Sequence, residues 1–391
     1  MNAIRRLRAL GQSAWLDYVD HQLVTSGELR RMIQEDGITG LTSNPTIFEK
    51  AIAGTNDYDD LIAAAAPKDP EAAIFERICV RDIQLACDAL RPVYDETRGA
   101  DGFASIEVSP GAAHDTGRSI EEARRLWGEV GRPNVMVKIP GTREGVRAIE
   151  QSLVSGINVN VTLLFSVERY EEIANAYVRA LEGRMGAGLP LRVASVASFF
   201  VSRVDAKLDQ KLPEARCGRA AIANAKLAFE VFERVFSGPR WDALAKAGAR
   251  PQRLLWASTT PKSARYPDIY YVEALAGPHS VDTMTKETLR AYLRRGNPES
   301  RIGLDREGAR TFIDGLPDFP RVLHDLEDEG VRSFAKSFTQ ALSTIAKKRR
   351  ALGLETPDIG GENAPKETEF GDEESAKSAT GRGAASLKQI P

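Results

Sequence analysis

The 391-residue sequence has few of the residues that bind metals or form disulfides. Its four histidines include no pair with metal-ligand spacing. Its three cysteines, Cys79, Cys87 and Cys217, have the spacing of neither a zinc motif nor a redox motif. We therefore expect no metal site and no disulfide, and the free thiols predict a reducing compartment.

Long apolar segments and an excess of charge are also missing. No run approaches the ~20 apolar residues that cross a bilayer, and the amino terminus lacks the apolar core of a signal peptide. The 53 Lys and Arg residues nearly balance the 55 Asp and Glu residues, so no overall field attracts nucleic acid or anionic lipid. The sequence predicts a cytoplasmic globular protein without nucleic-acid or membrane partners.

Eight segments have the composition of strands, and amphipathic helical patterns follow most of them. In chain order they are SAWLDYV, GITGLTSNP, DGFASIEVSP, NVMVKIPG, INVNVTLLFS, RVASVASFFVSR, RLLWAST and HSVDTMT. This alternation suits either an open doubly wound sheet or a closed barrel. The open form usually has a glycine-rich dinucleotide turn after the first strand, and residues 15–27 contain none. We therefore predict an α/β fold, a (β/α)8 TIM barrel with additional helices, over residues 1–352.

The end of the sequence has a different composition. Residues 317–350 predict a terminal helical region that either covers the barrel mouth or pairs with a second subunit, so monomer and homodimer both stay open. Residues 353–391 are rich in Gly, Ser, Glu and Lys and almost without large apolar groups. This composition predicts a disordered acidic tail, which either solubilises the protein or links it to another module.

Six of the predicted strands carry polar residues among apolar neighbours. They are Asp17, Thr42, Asn44, Glu107, Lys138, Asn160, Thr162, Ser198 and Arg203. One polar residue in a strand is usually a satisfied core residue, but six strands that each contribute one or two predict a shared polar lumen. In barrels of this kind the reactive groups lie at the carboxyl ends of the strands or project inward.

The stretch PNVMVKIPGT places Lys138 in an apolar run. Val135, Val137 and Ile139 share one face by alternation, so Lys138 points to the other face. A lone strand lysine is usually solvated or paired. In a buried lumen, however, desolvation favours the uncharged amine, which can attack a carbonyl and form an iminium that assists cleavage of a carbon–carbon bond.

Such chemistry needs acid/base groups beside the amine, and Asp17 and Glu107 are the candidates. One takes a proton from the hydroxyl on the breaking bond, and the other moves protons during dehydration. Each residue also has a structural interpretation, because Asp17 could cap a strand and Glu107 could hold Lys138 in place.

The residues at these positions resemble a known family. Blocks similar to the successive signatures of transaldolase, in particular its longer bacterial and plant-type subfamily, run in order from about residue 10 to about residue 350. They are SAWLDYVD, GITGLTSNPTIFEKAI, SIEVSP, VMVKIPGT, INVNVTLLFS, VASFFVSRVD and LLWAST. The resemblance implies a class I aldolase-like barrel without cofactor or metal.

The resemblance also implies a reaction. Lys138 would form a Schiff base with the C2 carbonyl of fructose 6-phosphate or sedoheptulose 7-phosphate. Asp17 would deprotonate the C4 hydroxyl, and Glu107 and Thr162 would hold the water used in carbinolamine formation and breakdown. The dihydroxyacetone unit would pass to glyceraldehyde 3-phosphate or erythrose 4-phosphate, the transaldolase step of the non-oxidative pentose phosphate pathway.

The substrate contacts that the resemblance implies fall into two groups. Asn44 and Asn160 match residues that bind the dihydroxyacetone hydroxyls, with Thr42 and Ser198 nearby. Phosphate contacts are implied for Arg203, Ser258 and Lys262.

Two stretches depart from the usual family form. Thr260-Pro261 stands for Gly-Thr, Ser263 stands for Asn, and Thr285 stands where a proline is common; the last departure suggests no functional role.

Two other functions stay open. They are a Schiff-base aldolase that releases free dihydroxyacetone and an inactive sugar-phosphate-binding barrel.

Overall fold

Eight parallel strands form a closed barrel in the computed structural model, which describes residues 1–354. The strands follow one another around the barrel in chain order, and the eighth pairs with the first. They are β1 (Gln12–Asp17), β2 (Gly40–Thr42), β3 (Phe103–Glu107), β4 (Val135–Pro140), β5 (Val159–Leu164), β6 (Ser195–Phe200), β7 (Arg253–Ala257) and β8 (Ser280–Met284). Each lies within or overlaps one predicted segment, so the predicted barrel is confirmed.

Helices surround the barrel. Within the described residues the α-helices are α1 (Ala3–Ala9), α2 (His21–Thr25), α3 (Glu28–Arg31), α4 (Pro45–Gly54), α5 (Asp59–Ala63), α6 (Glu71–Glu96), α7 (Thr116–Val130), α8 (Arg143–Val154), α9 (Val167–Gly186), α10 (Ser202–Leu208), α11 (Ala220–Val235), α12 (Gly238–Lys246), α13 (Tyr270–Ala274), α14 (Lys286–Arg295), α15 (Arg306–Asp314) and α16 (Phe319–Ala351). A π-helical turn spans Met32–Asp36, and 3-10 turns span Pro110–Ala112 and Glu214–Arg216.

Capping side chains explain where the helices after β4 and β5 begin. Thr142 ends the loop after β4, and its hydroxyl accepts a hydrogen bond of 3.1 Å from the Gly145 amide. Ser166 accepts the same kind of bond, also 3.1 Å, from the Arg169 amide after β5. Both residues are therefore N-caps, and each fixes where its helix starts.

The amino-terminal end of the barrel is closed by Trp15. Its indole is fully buried and donates a hydrogen bond of 2.8 Å to Asp101 Oδ1. Gly40, its register partner on β2, leaves the space for the ring, because a Cβ there would lie 2.4 Å from the indole. The other end of the barrel, at the carboxyl ends of the strands, is where a ligand can enter.

Helix α16 lies across that carboxyl end. It packs on α4, α6 and the end of β5, and Gly330 faces Leu163, whose side chain would be 2.8 Å from a Cβ at residue 330. Farther along, the fully buried Arg349 donates hydrogen bonds of 2.8 to 3.1 Å to the carbonyls of Ala66, Pro67 and Asp69. The helix therefore takes the first of its two predicted roles, and pairing with a second subunit stays a prediction.

Two further predictions concern the acidic tail and the absence of a membrane span. The predicted acidic tail lies outside the described residues, apart from Gly353 and Leu354. In the described part of the chain, no helix is both long enough and apolar enough to cross a membrane.

Candidate active site

A cavity of about 510 Å³ opens at the carboxyl ends of the strands. Nine of the eleven residues predicted for the site line it: Asp17, Thr42, Asn44, Lys138, Thr162, Ser198, Arg203, Ser258 and Lys262. Glu107 and Asn160 are not among the lining residues, and both are register neighbours of Lys138. The polar lumen predicted from the strand pattern is therefore present, and these nine residues come from six strands or the loops that follow them.

Lys138 lies at the centre of this arrangement. On β4 its Cα is in register with Glu107 on β3 and with Asn160 on β5, so the three side chains point to the same side. The residue is 4 % exposed. Its Nζ donates a hydrogen bond of 2.9 Å to the Ser43 carbonyl and lies 3.2 Å from Glu107 Oε2. The amine is thus buried and oriented toward the cavity that it lines.

Asp17 is held at the end of β1 by Thr42. The Thr42 hydroxyl donates to Asp17 Oδ1 at 2.7 Å and also lies 2.8 Å from the Thr283 hydroxyl. Burial raises the pKa of Asp17 above its ordinary value, and Lys138, the Thr42 hydrogen bond, Lys262 and Arg203 oppose that rise. A carboxylate of this kind can exchange a proton nearer to neutral pH than a free aspartate.

Glu107 and Thr162 flank the lysine from the neighbouring strands. Burial raises the pKa of Glu107, and the charge of Lys138 opposes the rise. Glu107 Oε2 is buried, and its one polar contact is with the Lys138 amine, 3.2 Å away. Thr162 Oγ1 is also buried and has no hydrogen-bond partner among the described residues. Because buried polar atoms are nearly always paired, the Thr162 hydroxyl is suited to hydrogen-bond a substrate or a water molecule.

The two predicted asparagines differ in their surroundings. Asn44 is the N-cap of α4, where its Oδ1 accepts a hydrogen bond of 3.0 Å from the Ile47 amide, and it reaches the cavity. Asn160 is fully buried, donates to Ser105 Oγ at 3.0 Å and accepts from Ser198 Oγ at 2.7 Å. Asn160 therefore fixes the orientation of Ser198, and its predicted contact with substrate stays a prediction.

Two cations occupy one side of the cavity. Arg203 begins α10 just after β6, and Lys262 lies in the loop after β7. Burial lowers the pKa of both residues, and repulsion from Arg203 lowers that of Lys262 further. The same loop contains Ser258, whose φ of 57° is left-handed and whose carbonyl accepts a hydrogen bond of 3.1 Å from the Ser202 amide. Two partly buried like charges that face a cavity are typical of an anion site.

Sequence reasoning missed several residues that line the cavity. They are Tyr18, Thr46, Ile47, Lys50, Phe200, Ala257, Thr259, Thr260, Thr283, Thr285, Lys286, Glu287 and Phe334. Strand alternation could have identified Thr283, which lies two residues after the inward-facing Val281 on β8. No local signal identifies Phe334, which α16 brings over the cavity with its ring centroid 6.0 Å from Lys138 Nζ. Thr285, given no functional role from the sequence, caps α14 and reaches the cavity.

The composition of the site also bears on the expected absence of a metal. Within residues 1–354 there is no group of three or more His, Cys, Asp or Glu side chains arranged to hold a metal ion.

A closed parallel barrel with a buried lysine between two carboxylates, at the carboxyl ends of its strands, defines an aldolase-type barrel. A family model described as Transaldolase/Fructose-6-phosphate aldolase matches residues 14–345. The chain is 42 % identical over 375 residues to Transaldolase 2 of Nostoc punctiforme, an alignment that covers 90 % of this chain and 98 % of that one. The chain belongs to the transaldolase family.

Other relatives agree with this assignment. The transaldolase of Parafrankia sp. is 44 % identical over 356 residues, covering 88 % of this chain and 96 % of the relative. The transaldolase of Thermobifida fusca is 43 % identical over 362 residues, covering 89 % and 98 %.

Proposed function

We propose that the protein is a transaldolase that transfers a dihydroxyacetone unit through a Schiff base on Lys138. The donor would be fructose 6-phosphate or sedoheptulose 7-phosphate, and the acceptor erythrose 4-phosphate or glyceraldehyde 3-phosphate. The observation that carries the proposal is the buried Lys138 amine, which lines the cavity 3.2 Å from Glu107 and shares that cavity with Asp17. We also propose that it acts in the cytoplasm, in the non-oxidative pentose phosphate pathway.

In the first half-reaction, Lys138 Nζ attacks the C2 carbonyl of the ketose phosphate and forms a carbinolamine. Loss of water gives an iminium, with Glu107 and Thr162 managing the proton and the water. Support for this role comes from the contact of Glu107 with the amine and from the buried hydroxyl of Thr162, which has no partner among the described residues.

Carbon–carbon cleavage follows. Asp17 takes the proton from the C4 hydroxyl, C4 becomes the aldehyde of the departing aldose phosphate, and the C3–C4 bonding electrons move to the iminium nitrogen. The product on Lys138 is a three-carbon enamine. The burial-raised pKa of Asp17 supports this role, because a base with a pKa closer to neutral can also return the proton later.

Transfer to the acceptor reverses these steps. The enamine carbon attacks the aldehyde of the second aldose phosphate, Asp17 returns its proton to the new hydroxyl, and water releases the ketose from Lys138. Phe334, whose ring centroid lies 6.0 Å from Lys138 Nζ, would limit access of water to the enamine, which favours transfer over protonation. Arg203 and Lys262, the paired cations, would bind the phosphate.

The proposal is tested by borohydride trapping with fructose 6-phosphate, followed by peptide mapping. We expect a three-carbon adduct on Lys138 that is absent from Lys138→Met and present in Lys50→Gln, a matched change of another lysine that lines the cavity. An adduct on a different residue, or none, would overturn the Schiff-base assignment.

A donor–acceptor assay separates transfer from simple cleavage. A transaldolase forms sustained product from fructose 6-phosphate only when an aldose phosphate is supplied. Release of free dihydroxyacetone without an acceptor would favour the aldolase alternative, and sugar-phosphate binding with neither adduct nor turnover would favour an inactive binding barrel.

A further inference from the structure

Three tyrosines follow Lys262 in the chain, and all three hydroxyls end on the segment that follows Arg203. Tyr266 donates to Asp209 Oδ2 at 2.6 Å, and Tyr271 donates to Asp205 Oδ2 at 2.8 Å. Tyr270 donates to the Gly218 carbonyl at 3.1 Å. The loop that carries one cation of the anion site is thus hydrogen-bonded to the helix that carries the other.

Both carboxylate oxygens of each aspartate already accept a hydrogen bond. The second oxygen of Asp205 accepts from the Ala221 amide at 2.8 Å, and that of Asp209 accepts from the Gly218 amide at 2.9 Å. Gly218 has a φ of 74°, and a Cβ there would lie 2.7 Å from the Tyr266 ring, so glycine allows the close approach. We call Asp205, Asp209, Tyr266 and Tyr271 the tyrosine–aspartate brace.

Joining α10 to the segment after Lys262 through the brace requires a buried carboxylate, which costs free energy. Asp205 is 1 % exposed, and burial raises its pKa to about 6. The groups that oppose this rise are backbone amides and the Tyr271 hydroxyl, and no cation is among the main ones. A buried carboxylate held by neutral donors contributes less to stability than apolar packing of the same volume, so its placement is better explained by what it positions.

What it joins is the pair of cations. Arg203 lies two residues before Asp205 on α10, Lys262 lies four residues before Tyr266, and the two cations repel each other. We propose that the tyrosine–aspartate brace holds Arg203 and Lys262 at the separation that fits a phosphate group, so that its four members are positioning residues for phosphate recognition. This inference rests on the proposed function, which supplies the phosphate.

The test compares Tyr266→Phe and Tyr271→Phe with the wild-type protein and with Tyr177→Phe. Tyr177 is a matched control, since its buried hydroxyl donates at 2.9 and 2.8 Å to the carbonyls of Val193 and Arg250, on the amino-terminal side of the barrel. The measurements are kcat and KM with fructose 6-phosphate, kcat/KM with unphosphorylated fructose, the inhibition constant of inorganic phosphate, and Tm.

We expect both brace variants to raise KM for fructose 6-phosphate and the phosphate inhibition constant about three- to tenfold. The kcat at saturation should stay within about twofold and kcat/KM for fructose should not change, because the reacting groups are untouched. Tyr177→Phe should lower Tm without moving either phosphate-dependent constant.

Two results would count against the inference in different ways. If the wild-type protein prefers the phosphorylated ketose and binds phosphate, but the brace variants behave like Tyr177→Phe, the brace is only structural and the proposed function stands. If the wild-type protein shows neither the preference nor phosphate inhibition, the phosphate site of the proposed function is wrong and the brace inference fails with it.

Discussion

The hydroxyl of Thr42 donates a hydrogen bond of 2.7 Å to the carboxylate of Asp17, and this bond connects β2 to β1 at the edge of the cavity. It stabilises the ionised form of Asp17, whereas burial stabilises the protonated form. The pH at which Asp17 ionises is therefore set by burial on one side and by Lys138, Thr42, Lys262 and Arg203 on the other. Among the opposing groups, the Thr42 hydroxyl is the one that a single substitution removes without changing a charge.

Thr42→Val should shift the acid limb of the pH profile of kcat/KM to higher pH. Asp17 must be ionised to accept the C4 proton, so activity falls as the pH drops through its raised pKa. Loss of the hydrogen bond raises that pKa further, and we expect the limb to move upward by about one pH unit. Thr39→Val is the control, because the Thr39 hydroxyl has no partner among the described residues. An unchanged limb in Thr42→Val would mean that another group sets it.

Asp17→Asn should separate Schiff-base formation from carbon–carbon cleavage. An amide cannot accept the C4 proton, so kcat should fall by about 10² to 10⁴-fold. Borohydride should still trap the uncleaved ketose phosphate on Lys138. The control is Asp282→Asn on β8, a fully buried carboxyl outside the cavity lining whose pKa burial raises, so that the neutral amide is a close substitute. Full turnover by Asp17→Asn would exclude Asp17 as the base.

Glu107→Gln should slow the formation of the adduct more than the cleavage step. The carboxyl lies 3.2 Å from Lys138 Nζ, where it can move the protons of carbinolamine dehydration. In rapid-quench trapping, the rate constant for adduct formation should fall by on the order of 10²-fold. Glu144→Gln, in the first turn of α8 and outside the cavity lining, should react at the wild-type rate. Equal rates in both variants would leave Glu107 with a structural role only.

Gly40→Ala should destabilise the fold without a direct effect on the site. The added Cβ would lie 2.4 Å from the indole of Trp15, which is fully buried and held by Asp101. Overpacking of this kind costs about 1 to 3 kcal/mol or more, and we expect a lower Tm in thermal unfolding. Gly54→Ala is the control, since nothing lies within 4 Å of a Cβ at that position. Equal Tm values for the two variants would show that β1 and β2 can separate to make room.

Much of the barrel could be predicted from sequence because its determinants are local. Each strand is a short segment with many apolar residues that ends before a helix, and several of these helices have a side-chain N-cap, such as Thr142. Once neighbours in sequence are taken as neighbours in the barrel, polar residues near strand ends must converge. The pairing of Glu107 with Lys138, which are register partners on adjacent strands, follows from that rule.

The parts that could not be predicted depend on which face a residue takes or on distant partners. Asp282 and Thr283 are adjacent polar residues on β8, yet only Thr283 lines the cavity. Asp282 instead accepts a hydrogen bond of 2.9 Å from the Thr259 hydroxyl. Leu163 has a φ of 58° within a shifted register of β5, and no glycine marks the irregularity. The bond from Tyr271 on α13 to Asp205 on α10 joins helices that are far apart in sequence, which strand and helix periodicity cannot relate.

Helix α16, which contributes Phe334 to the cavity, follows all eight strands in the chain. Phe334, whose ring lies over Lys138, is translated after all eight strands. A nascent chain can therefore contain every strand of the barrel before it contains the side chain that covers the amine. The cover over Lys138 is therefore translated later than the strands that surround it.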